Sequence, residues 1–180
     1  TGSPVTTNGG GYHEWAGIGG CLTYHMRRSD RAIGDRDELV ALLKRGRYVT
    51  LALCRADEPY VVTMSYGYDV EREALYFHCA HEGLKLDFVR ANPQACGTVI
   101  EDLGYLQGEC AHAYRSVVLR GQMHVVSQAE EKVHGMAVLL QHLEDEPEAV
   151  RERTLPDEAA YARAAVLRLD IHKMTGKQGQ

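Results

Sequence analysis

No stretch of the chain approaches the roughly eighteen consecutive apolar residues that a membrane-spanning helix needs. No basic segment precedes a short apolar core in the manner of a signal peptide either. The expectation is a cytoplasmic protein with no membrane partner. Positive charge is also scarce: 20 Lys and Arg stand against 25 Asp and Glu, a formal net charge of −5. That balance argues against a broad basic surface for nucleic acid, while leaving room for a local basic pocket. No CxxC pair occurs among Cys21, Cys54, Cys79, Cys96 and Cys110, and their number is odd. A disulfide framework and a structural zinc site are both disfavoured, and the cysteines read as free thiols, several of them in the core. The nine histidines show neither HExxH nor HxxxH spacing, so no metal centre is expected. There is no GxGxxG, which removes the usual signature of a dinucleotide fold.

What the chain does contain is a segment, Leu75 to Pro93, that packs a strand, a break and a helix start into a short span. Leu75, Tyr76 and Phe77 form an apolar run, His78 and Cys79 end it, and Glu82-Gly83 break it. Leu84, Phe88 and Ala91 then recur at helical spacing, with Asn92-Pro93 as the stop. A helix start carries free backbone N–H groups and a partial positive charge, so it favours an anion placed against it. Lys85 adds a full charge at that end, and Gly83 permits close approach to the backbone. Two readings stand side by side: a phosphate site, or an ordinary β–α connection with a solvated lysine.

At 180 residues one domain of ordinary size is expected, over residues 26–180, with 1–25 a leader or tag-like extension. Tyr12, Trp15, Ile18 and Leu22 are the expected anchors of that extension. Asp35 as N-cap with Glu38 three residues on, and Gly46 beyond the end, predict a helix from about Arg36 to Arg45. Tyr48 to Leu53 and Pro59 to Tyr68 read as a hairpin with a four-residue loop, and Leu75 to Cys79 as a third strand. Three adjacent strands with short links make an antiparallel meander. Ala95 to Glu101 and Tyr114 to Val126 follow as strands, with Gly121 a bulge. Asp102 to Ala113 is open between strand and loop. Ser127 with Glu130 predicts a capping box, followed by a core stripe of Val133, Met136, Ala137, Leu140 and Leu143. Asp157 to Ala162 reads as a short helix and Ala165 to Ile171 as a sixth strand. The sum is a mainly β fold with flanking helices, a small closed or half-closed antiparallel barrel.

With these segments in view, the chain resembles the FMN-binding split-barrel family of pyridoxamine 5′-phosphate oxidase-like proteins, and within it the branch of nitroimidazole-resistance proteins. MRRSDRAI, PYVVTMSYGYD, LYFHCAHEGLKLDFVRANP, YRSVVLRGQMHVV and LRLDIHKMTGK carry the resemblance, from Met26 to Lys177. It implies a six-stranded antiparallel Greek-key split barrel, and a homodimer with FMN at the subunit interface. Lys85 would bind the cofactor phosphate, with Gly83 and Leu84 supplying approach and backbone groups. The strand Val62, Thr63, Met64, Ser65 and Tyr66 would line the flavin ring, chiefly through its backbone. His78 and Cys79 would end the neighbouring strand beside the cofactor. Arg115 and Ser116 match the place where family members contact the ribityl chain or phosphate.

The oxidases proper carry an arginine and a lysine where Val62 and Gly67 stand here, and their C-terminal arginine segment has no counterpart in HKMTGKQGQ. Pyridoxamine phosphate is therefore a poor substrate guess. The expected function is NAD(P)H-dependent reduction of a small acceptor, such as a nitro compound or quinone, with His78 the candidate proton donor. The alternatives are a flavin carrier or sensor without turnover, and a haem-binding split barrel using His78 or His172. Cys79 reads as a small buried hydrophobe ahead of a reactive thiol. For Arg115, pairing with Glu101 or Asp102 competes with a phosphate, and His112 and His124 are expected to carry no function.

Overall fold

A computed structural model describes residues 26–179; the expected anchors Tyr12, Trp15, Ile18 and Leu22 lie outside the described residues. After a 3-10 turn at Ser29–Arg31, the elements run β1 (Ala32–Ile33), α1 (Arg36–Arg45), β2 (Tyr48–Arg55), β3 (Glu58–Ser65), β4 (Gly67–Asp69), β5 (Ala74–Cys79), α2 (Leu84–Ala91), β6 (Gln94–Leu106), β7 (Ala111–Val125), α3 (Ala129–Leu143), α4 (Pro147–Thr154), α5 (Glu158–Ala162) and β8 (Ala165–Gly179). All pairings are antiparallel, in the order β3-β2-β6-β7-β8-β5-β4, with β1 added to β8. The two ends of this path, β3 and β4, are separated by a single residue, Tyr66. The chain itself therefore closes the barrel at that point. Beyond it β4 pairs with β5 while β3 pairs only with β2, and the gap between β3 and β5 is the split.

The expected antiparallel barrel with flanking helices is found, with eight strands in place of six. The run Pro59 to Tyr68, expected as one strand, is broken at Tyr66. That side chain is fully buried, and its hydroxyl donates to the Leu43 carbonyl on α1 at 2.7 Å. Gly67 follows because the backbone there passes against α3: a Cβ would stand 2.6 Å from Leu139 backbone atoms. The β2–β3 loop is tighter than expected, with Arg55 and Glu58 paired and Ala56 at φ 52°. The segment left open, Asp102 to Ala113, extends β6 and β7 into a ribbon past a register shift between Asp102 and Tyr105. The bulge at Gly121 is present as a shift between Arg120 and Gly121 against β8. β8 runs on past Ile171 to Gly179, because residues without an apolar run are held by pairing to β7 on one side and β1 on the other.

The Asp35 cap is found, accepting from the Asp37 amide, while Glu38 turns to Arg115 instead of reaching back. The capping box at Ser127 and Glu130 is not formed. Gln128 is the N-cap, without a side-chain bond, and α3 begins one residue later than the box requires. The α3 core face is Gly135, Met136, Leu139 and Leu140, and Val133 is 45% exposed. α4 was not expected, since it buries no residue and so writes no stripe; Pro147 at its first turn is its one signal. Two cores result. The barrel interior holds Leu51, Leu75, Phe77, Leu119, Leu167 and Leu169, and a second layer under α3 holds Ala74, Tyr76, Met136, Leu140 and Val166.

Candidate functional site

The split exposes two kinds of backbone donor. β3 has no strand partner on its gap side among the described residues, so amides and carbonyls from Val62 to Ser65 face an open edge. α2 packs beside β3, with the Phe88 ring tilted against that of Tyr60 at 5.0 Å between centroids. No side chain caps α2, and the carbonyl of Gly83 serves the amides of Leu86 and Asp87. The amides of Leu84 and Lys85 lie in the first turn, where a helix offers no acceptor. Gly83 holds φ 140°, which an L side chain adopts only under strain, and open space surrounds its missing Cβ.

Lys85 is half-buried and has neither ion pair nor hydrogen bond among the described residues. Cys79 senses it: burial pushes the thiol up, and the nearby ammonium draws it partly back. A thiol held protonated against the barrel core fits the buried-hydrophobe reading. His78 is exposed. By strand alternation it shares the side of Ala74 and Tyr76, away from the barrel interior. His81 was not singled out by sequence, yet its Nε2 donates to the Ala162 carbonyl at 2.6 Å and ties the loop before α2 to α5.

On β3, Val62 and Met64 point into the barrel core, and Thr63 and Ser65 point outward. The Thr63 hydroxyl meets that of Thr50 at 3.0 Å. Burial pushes the Tyr66 phenol far above its ordinary value, and its hydroxyl is committed to α1. Arg115 pairs with Glu38 at 3.5 Å, and not with Glu101 or Asp102, which are taken by Arg45 and His112. The Ser116 hydroxyl donates to the Lys177 carbonyl. Within one chain these two residues sit at the α1 end of β7. α2 is anchored at the other end, where the Met123 amide donates to the Pro93 carbonyl at 2.7 Å. Cys79 at the end of β5 lies near Lys85, α2 packs on β3 through Phe88 and Tyr60, and Arg115 and Ser116 are engaged by Glu38 and the Lys177 carbonyl.

The model of the family described as pyridoxamine 5′-phosphate oxidase matches residues 35–178. The chain belongs to this family. The fold is shared with solved structures of several kinds. One is described as a 5-nitroimidazole antibiotic resistance protein from Bacteroides thetaiotaomicron: 24% identical, covering 82% of this chain and 86% of that one, with a TM-score of 0.67. A FAD-binding protein from Mesorhizobium loti is 25% identical over 83% of this chain and 98% of its own, with a TM-score of 0.60. A flavocytochrome from Azotobacter vinelandii is 19% identical over 89% and 75%, with a TM-score of 0.72.

This member of the pyridoxamine 5′-phosphate oxidase family also carries a polar network that sequence reasoning missed, on the outer side of β5 and β8 beneath α3. Asp69 is buried. One of its oxygens accepts from the Glu71 and Arg72 amides, and the other from His134 Nε2 at 2.6 Å. Burial alone would raise the Asp69 carboxyl, but the bonds from His134, Arg72 and Glu71 outweigh it and hold the group below its ordinary value. Glu131 is held low chiefly by Arg168 at 2.6 Å and accepts from the Tyr76 hydroxyl as well. The partners are up to 65 residues apart in sequence, so no local spacing announces them.

Proposed function

We propose that the chain binds FMN in the gap between β3 and the start of α2, and acts as a homodimeric, NAD(P)H-dependent oxidoreductase on a small acceptor such as a nitro compound or quinone. The observation that carries the proposal is Lys85: a half-buried ammonium without an acidic partner among the described residues, at an uncapped helix start beside a glycine at positive φ. A phosphate satisfies all three features at once, by charge, by two free amides and by close approach. When bound, the flavin supplies the electron transfer.

The residues of this chain then have separable tasks. Lys85 and the amides of Leu84 and Lys85 hold the phosphate. The free edge of β3 offers alternating N–H and C=O groups to the polar rim of the ring. Val62 and Met64 keep that strand seated in the core, and Tyr66 fixes its kink. His78, exposed at the end of β5, is the candidate to place a proton on the acceptor. Arg115 and Ser116 join such a site only from a second copy, which favours the dimer. Among the described residues no helix is long and apolar enough to cross a membrane; a cytoplasmic setting is part of the proposal.

The purified protein tests the reading directly. A flavin absorption spectrum, with FMN and not FAD released on denaturation, and bleaching by NADH or NADPH in stopped flow are expected. A Soret band without flavin would replace the cofactor with haem, a reading favoured by the flavocytochrome among the structural neighbours. A flavin that neither nucleotide bleaches would leave a carrier or sensor.

A further inference from the structure

A short link, Ala80 to Gly83, joins the end of β5 to the start of α2. It begins beside Cys79, the last residue of β5 paired to β8, which stands opposite Ala165. Every residue of the link is exposed, and none of its amides donates to another backbone group among the described residues. Its single side-chain hydrogen bond among the described residues is made by His81, whose Nε2 stands 2.6 Å from the Ala162 carbonyl. Directly after Gly83 come the amides of Leu84 and Lys85, which have no acceptor within the helix. The aim of those two amides therefore depends on a link with little else to hold it.

The receiving end is firm. α5 is capped by Asp157, whose side chain accepts from the Ala160 amide at 2.8 Å. Ala160 is buried in the same core layer as Leu155 and Val166, and Tyr161 packs against that layer. The amides of Arg163 and Ala164 turn back to the carbonyls of Ala160 and Tyr161. The Ala162 carbonyl is thus left at the helix end without a backbone donor, and His81 supplies one. A carbonyl can only accept, which assigns the hydrogen of this bond to Nε2.

We propose that His81 is a positioning residue of the phosphate site: through the Ala162 carbonyl it braces the link against α5 and holds the first amides of α2 in place before the anion arrives. The inference rests on the FMN site proposed above. Ordering an untethered link on binding costs affinity, and a tether made beforehand removes that cost. The effect belongs to the phosphate end alone. It therefore separates FMN from riboflavin, which has the same ring and ribityl chain and lacks the phosphate. Coupling between two sites is reciprocal, so a phosphate seated at the start of α2 also steadies α5.

Fluorescence titration of the full chain with FMN and with riboflavin tests the tether. His81→Ala is expected to raise the FMN dissociation constant roughly threefold to tenfold, the worth of one net hydrogen bond, and to leave that for riboflavin unchanged. His81→Gln, whose side-chain amide offers an N–H to the same carbonyl, should restore most of the loss. Unaltered FMN affinity in His81→Ala, an equal loss for riboflavin, or a Gln variant as weak as the Ala variant overturns the proposal. In wild-type protein FMN, and not riboflavin, should slow hydrogen exchange along 158–164; equal exchange with both flavins overturns it as well. Imidazole 15N spectra of the wild-type FMN complex in mildly alkaline buffer should show the His81 hydrogen on Nε2. A hydrogen on Nδ1 sinks the tether without recourse to any variant. Wild-type protein that holds FMN no tighter than riboflavin sinks the phosphate site and the tether with it, whereas discrimination that survives His81→Ala undiminished sinks the tether alone.

Discussion

Lys85 shows how far a single residue can be read from sequence and where that stops. Its spacing after Gly83, at the head of a helical pattern, is local, so the strand, break and helix were legible. The structure adds what spacing lacks: the missing cap, the positive φ and the lack of an ion pair to Lys85 among the described residues. Replacing Lys85 by Ala should weaken FMN binding by roughly 1.5–3 kcal/mol, the worth of a charge-assisted contact. Flavin-fluorescence titration reads the change, and an unaltered affinity would place the phosphate elsewhere. Arg115 illustrates the opposite case. Its position on β7 was legible, but its partner Glu38 lies far back in the sequence, and nothing near Arg115 points to it.

At the scale of elements, the apolar strands and the bulge at Gly121 are legible in the sequence, while the break at Tyr66 and the extensions of β6, β7 and β8 are not. The kink at Tyr66 depends on a hydroxyl reaching α1, a tertiary contact that overrides local strand preference. Tyr66→Phe strands the buried Leu43 carbonyl, so a loss of about 1–3 kcal/mol is expected, seen as a lowered melting temperature. α3 is fastened by carboxylates whose folded values lie below their ordinary ones. Such groups contribute stability that is fully present above the unfolded value and lost as pH falls toward the folded one. The ordinary values are 3.8 for Asp69 and 4.5 for Glu131, so α3 should begin to loosen as pH drops below that range. Hydrogen exchange along 129–143, followed from pH 6 to pH 3, should show earlier loss of protection there than in β7. Asp69→Asn should weaken that dependence and raise exchange at neutral pH.

For the molecule as a whole, the barrel class followed from short links between neighbouring strands, while its closure did not. β8 enters between β5 and β7, so that Cys79 lies opposite Ala165 and Ala32 opposite Lys177. No pattern in Ala165 to Gly179 names those distant partners. That placement governs how the chain reaches its fold. The β2–β3 and β6–β7 hairpins can form early from close neighbours, but the sheet has no centre until two remote stretches meet β8. Loop-closure entropy must be overcome before those contacts reward it. Refolding from denaturant should therefore be slow for a domain of this size, in the range of milliseconds to seconds. Substitutions in the β8 contacts should mainly accelerate unfolding, whereas those in the β2–β3 turn should slow folding. Stopped-flow chevrons would separate the two groups, and β8 effects confined to the folding limb would show that β8 docks before the rate-limiting step.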